Sequence, residues 1–171
     1  IWREHGAAGE QALGEILAAT LSGPMLPHAL EDLRGLALDG ESGTAAVATQ
    51  LAAELCAARK DFRRALTWGR RAEWLMPHNL AVKRLVARIA TQAGDRRQAV
   101  AKWEDIAARH PADAESREML GLAALENGQI DEARAHFVKA LENDPFRVQV
   151  HVLLGDMADD AGQDEEAVDA Y

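Results

Sequence analysis

Arg84 and Arg88 stand four residues apart. On a helix that spacing puts two guanidinium groups one turn apart, where they can grip a carboxylate or a phosphorylated group through paired N–H donors. The competing use of the same pair is inter-helix ion pairing with Glu54 or Glu118. Little else in the chain offers chemistry. It has no glycine-rich phosphate loop, no nucleophile elbow and no His-Glu-x-x-His motif. The histidines are His5, His28, His78, His110, His136 and His151, and no two have the four-residue spacing of a helical metal site. The carboxylates Asp156, Asp159, Asp160, Asp164, Glu165, Glu166 and Asp169 crowd together, but they straddle Gly162 without the alternation of a calcium loop and read as a solvated face. No catalytic residue, metal site or cofactor is expected.

The chain has 171 residues, with 19 Lys and Arg against 28 Asp and Glu, a net charge of −9. That balance argues against duplex nucleic acid as the main partner, because phosphate binding rests on Lys and Arg. No apolar run approaches the roughly 20 residues that span a bilayer, so no membrane insertion of this segment is expected. The distribution of charge is uneven. From Arg59 to Arg109 there are 13 Lys and Arg against five acids, a balance of +8, which leaves −17 for the remainder. Such polarity can steer an acidic partner to the middle, or dock the acidic end of one copy on the basic middle of another.

The elements that must position these residues are helices. Thr, Val and Ile never cluster as strands would, and Ala, Leu, Glu and Arg recur at helical spacing. Several columns repeat at a constant step of 34 residues: Ala65, Ala99, Ala133, Ala167; Pro77, Pro111, Pro145; Gly94, Gly128, Gly162; and the aromatics Trp103, Phe137, Tyr171. The small residues Ala53, Ala87, Gly121 and Gly155 form another, preceded by Ala52, Val86, Leu120 and Leu154. Asn79 or Asp113 can cap a first helix, A, through its side-chain oxygen. Gly94 or Gly128 ends that helix in a left-handed turn, and a second helix, B, runs through the alanine and aromatic columns to the proline. The small columns mark close helix crossings. Cys56, the only cysteine, rules out an internal disulfide and shares the inward small position of Ala90, Ala124 and Ala158, so packing accounts for it.

The order Leu120-Gly121, Gly128, Ala133, Phe137, Ala140, Pro145 resembles the tetratricopeptide repeat signature. The resemblance covers units 46–79, 80–113, 114–147 and an incomplete 148–171. Thr49, Lys83, Arg117 and His151 replace the family's usual aromatic early in helix A, and Gly69 stands where the first unit should carry a helix B aromatic. Residues 1–45 lose the register and are expected to form an atypical helical cap or degenerate repeat, with one helix from Glu10 to Leu21 and a second stretch after Pro27 through Leu30, Leu33, Leu36 and Leu38. Ile1 is no initiator methionine and the last unit stops inside its helix B, so a longer natural chain is expected.

The resemblance implies an all-α, right-handed superhelical solenoid of antiparallel helix pairs whose concave groove is lined by helix A. The positions it places there include Gln50, Glu54, Arg84, Arg88, Gln92, Glu118 and Leu122. Family members that grip a chaperone's C-terminal carboxylate use a Lys/Asn/Arg set; Gln50, Glu54 and Glu118 stand there instead, so chaperone tails are not expected to bind. The implied function is a non-catalytic scaffold or adaptor for a protein or peptide, acidic if it engages Arg84 and Arg88. Head-to-tail self-assembly as a homo-oligomer, or service as the recruiting domain of a larger enzyme, are the alternatives.

Overall fold

The computed structural model describes residues 33–36, 42–160 and 162. The expected helix from Glu10 to Leu21 and most of the 1–45 cap lie outside these residues, as do Ala167, Tyr171 and the acids from Asp164 to Asp169. Every described element is a helix: α1 Ser42–Ala58, α2 Phe62–Leu75, α3 Leu80–Gln92, α4 Arg96–Arg109, α5 Ala114–Glu126, α6 Ile130–Asn143 and α7 Val148–Asp160. Their contacts divide into two units, one reaching Asp95 and the other beginning at Arg96.

Asn79 and Asp113 cap successive A helices in one column, and Asp61 caps the B helix α2 outside it. Asp61 accepts a bond from the Arg64 amide at 3.2 Å, Asn79 from Ala81 at 2.9 Å, and Asp113 from Ser116 at 2.8 Å. Each satisfies an amide that the first turn leaves without an intrahelical partner. Arg147 occupies the next position in that column and cannot cap. It instead pairs with Glu118 of α5, and its Nε lies 3.3 Å from Asp144.

The turns between helices A and B are superposable in their bonding. In each, one amide reaches back five residues and the preceding amide three: Asp61 to Cys56 and Lys60 to Ala57, Asp95 to Ala90 and Gly94 to Thr91, Gln129 to Ala124 and Gly128 to Leu125. This closure needs a left-handed residue, which Gly94 (φ 74°) and Gly128 (φ 75°) supply without a steric penalty. Lys60 holds the same conformation at φ 61° with a side chain attached, at a cost of roughly 1–2 kcal/mol.

In the N-terminal unit, residues 33–36 are helical, and Leu33 is buried against Ala48 and Ala52 of α1 with Trp68 of α2 beside them. A second cluster joins Ala53, Cys56, Ala65 and Ile89, again with Trp68 at its edge. Trp68 thus serves both clusters one residue before the vacant aromatic position, where Gly69 lets Val86 of α3 approach: a Cβ at Gly69 would lie 3.0 Å from the Val86 Cγ2. In the C-terminal unit Trp103 and Phe137 are fully buried. The Phe137 ring lies on Gly121 of the same repeat so closely that a Cβ there would sit 2.5 Å from ring carbon Cε1. Cys56, Ala90, Ala124 and Ala158 are all buried, as their shared column requires.

Candidate functional site

The C-terminal halves of α1 and α3, with the turn into α2, enclose an open cleft of about 710 Å³. Its apolar surface comes from Ala57, Phe62, Leu85 and Ile89, and its polar groups are Glu54, Lys60, Arg88 and Gln92. The 34-residue register brings this about. Helix A residues four and eight positions apart face the same way, so Glu54 and Ala58 from one repeat meet Arg88 and Gln92, their equivalents in the next.

Three of the seven residues expected in the groove therefore share one cleft: Glu54, Arg88 and Gln92. Gln50 adjoins them, its Nε2 donating to Glu54 Oε1 at 3.0 Å one turn along α1. Arg84 lies one turn before Arg88 on α3 and is half-buried. The remaining two belong to the other unit. Glu118 is ion-paired with Arg147, both largely shielded from solvent, and Leu122 packs on the cluster around Phe137 and Val150. Lys60 and Arg147 were missed in the sequence, although each had a signal: a residue that breaks its column, lysine among glycines and arginine among helix caps.

A second cleft, about 520 Å³, lies within the C-terminal unit among α4, α5 and the start of α6, with Arg117, His136, Glu104 and Glu132 on its walls. Arg117 stands where the signature has an aromatic. Burial pushes the His136 imidazole below its ordinary pKa, and Arg117 pushes the same way against the opposing pull of Glu132. The His136 Nδ1 is buried without a protein hydrogen-bond partner.

Among the described residues no three His, Cys, Asp or Glu side chains come together as a metal-binding group, and no helix is long and apolar enough to cross a membrane. Burial raises the Cys56 thiol pKa, the opposite of what an activated nucleophile needs. His78 is exposed at its turn, and the His151 Nε2 lies 2.9 Å from the Pro145 carbonyl. Asp156, Asp159 and Asp160 are exposed on α7.

A family model for the tetratricopeptide repeat matches residues 87–146 and again 118–171. The chain carries tetratricopeptide repeats. Solved structures with this fold agree. MamA from Desulfovibrio magneticus RS-1, residue 41 to the end, is 20% identical over 95% of this chain and 90% of its own, with a TM-score of 0.76. YrrB, described as a tetratricopeptide repeat protein with an unusual peptide-binding site, is 21% identical over 98% and 88%, with a TM-score of 0.67. A tetratricopeptide repeat protein from Parabacteroides merdae is 16% identical over 96% of this chain and 64% of its own, with a TM-score of 0.80. At these identities the likeness shows the fold: all-α, built from tandem helix pairs. No curated protein sequence matches the chain.

Proposed function

We propose that this segment of tetratricopeptide repeats is a protein- or peptide-binding scaffold with no chemistry of its own, and that its partner lies on the helix A surfaces around α1 and α3. The observation that carries this reading is the cleft that gathers Glu54, Arg88 and Gln92 over an apolar floor. An apolar surface with a few polar groups around it suits a side chain anchored inside and a backbone held at the rim. YrrB, a protein of the same fold, is described as having an unusual peptide-binding site, which supports peptide binding as a use of this fold. The excess of Lys and Arg between Arg59 and Arg109 favours an acidic protein partner.

The test is affinity capture from the source cell with the 171-residue chain and with an Arg84→Ala/Arg88→Ala double variant, each sized by light scattering. Partners held at low salt by the wild type and lost by the variant, with melting temperature nearly unchanged, support the scaffold. Retained partners with lowered stability would make the two arginines structural. Self-association is the second reading. It is favoured by the exposure of Phe146 (90%) and Val148 (73%) beside the α6–α7 turn, and it requires a size that grows with concentration.

A further inference from the structure

The cleft among α4, α5 and the start of α6 owes its space to two residues on one face of α5. Arg117 stands in place of the early helix A aromatic, and Ala124, seven residues on and therefore on the same face, offers only a methyl group. Val100, Ala107 and Leu120 complete the apolar wall. Packed interiors leave few voids larger than a water molecule, whereas the space here is about 520 Å³, the size of a small ligand pocket.

The polar groups decide what fits it. Neither Arg117 nor Glu104 is hydrogen-bonded or ion-paired to another described residue, while Glu132 accepts the Gln129 amide. One guanidinium and one carboxylate are thus available, so their charges balance and favour a neutral ligand. Burial chiefly lowers the His136 pKa, and Arg117 and Glu104 are both near enough to act on the imidazole, in opposite directions. A guanidinium lies well against the face of an aromatic ring, and a carboxylate accepts strongly from a hydroxyl. The buried His136 Nδ1 lacks a protein partner, and a hydroxyl, which both donates and accepts, suits the imidazole in either tautomer. Glu104, Gln129 and Glu132 are exposed at the rim, which leaves room for a chain to pass while one side chain enters.

We infer that this cleft is a binding site for a tyrosine side chain of a protein partner, its ring between Arg117 and the alanine wall and its hydroxyl donating to Glu104. The balanced charge sets this ligand apart from the acidic partner proposed for α1 and α3. The two sites therefore take different ligands, and the inference goes beyond the scaffold reading without resting on the α1–α3 cleft.

Three peptides titrated into the isotope-labelled 171-residue chain, followed by amide NMR shifts, test it: acetyl-Ser-Tyr-Ser-amide, acetyl-Ser-Phe-Ser-amide and acetyl-Ser-Lys-Ser-amide. The tyrosine peptide is expected to shift amides in residues 100–108 and 117–127 and to leave those around Glu54 and Arg88 in place. The phenylalanine peptide should bind the same amides about threefold more weakly or worse, for want of one charge-assisted hydrogen bond, and the lysine peptide should not bind. Glu104→Ala, on the exposed rim, should bring the tyrosine peptide down to the phenylalanine affinity and leave the latter unchanged. Arg117→Trp should fill the space with its own ring, abolish the response and not lower the melting temperature. No response to the tyrosine peptide, equal affinity for either of the other two, a tyrosine preference that survives Glu104→Ala, or retained binding or a lowered melting temperature in Arg117→Trp would overturn the inference. The scaffold reading falls separately, when the Arg84/Arg88 variant retains every captured partner.

Discussion

In the N-terminal unit the glycine of close helix approach belongs to helix B, as Gly69, and faces the branched tip of Val86. In the C-terminal unit it belongs to helix A, as Gly121, and faces the edge of a fully buried Phe137 ring. The two glycines therefore serve different crossings, α2 on α3 in the first unit and α5 on α6 in the second. Where the ring is present the backbone yields to it; where it is missing, a neighbour from the following repeat moves in and Trp68 fills the flank. The unit without the column aromatic is also the one that carries the cleft of about 710 Å³ between α1 and α3.

The sharpest way to break this comparison is to remove the ring. Phe137→Ala should cost about 3–5 kcal/mol, a fully buried aromatic lost from a packed site, read as a lower denaturation midpoint. Gly121→Ala should come next. Its Cβ would meet a confined ring at 2.5 Å, so overpacking of about 1–3 kcal/mol exceeds the gain of up to about 1 kcal/mol in helix propensity. Gly69→Ala should change stability by well under 1 kcal/mol, since a 3.0 Å contact with one side-chain methyl relaxes by a small rotation and the same propensity gain offsets it. Equal costs for the two glycine variants would mean that the two crossings are not differently built.

Much of this arrangement is legible in the sequence, because glycine, proline, alanine and helix caps each answer a backbone demand that recurs with the repeat. The left-handed turns at Gly94 and Gly128, the caps at Asn79 and Asp113, and the burial of Cys56 at an alanine position all follow from that register. Lys60 and Arg147 are not legible for the same reason: each stands where the backbone asks for another residue, and only the fold shows that Lys60 lines the cleft and that Arg147 pairs with Glu118. The groove is intermediate. Helix A spacing places Glu54, Arg88 and Gln92 on a common face, whereas the commitment of Glu118 to Arg147 depends on a contact across a whole repeat.

The smallest expected effect separates the two clefts by pH. His136 has a depressed pKa in the folded chain, so the unfolded chain takes up its proton first as pH falls. Stability should begin to drop below the unfolded value of about 6.5 and stop dropping once the folded imidazole is itself protonated. His136→Gln should flatten that part of the profile while leaving peptide binding at the α1–α3 cleft unchanged.

Hydrogen–deuterium exchange of the 171-residue chain with and without a captured partner bears most directly on the scaffold reading. Protection gained in the C-terminal half of α1, the Lys60 turn and the segment from Arg84 to Gln92, with α2 beyond its first turn and α4 unaffected, is the predicted result. Protection confined to α2, α4 and α6, the B helices, would contradict it.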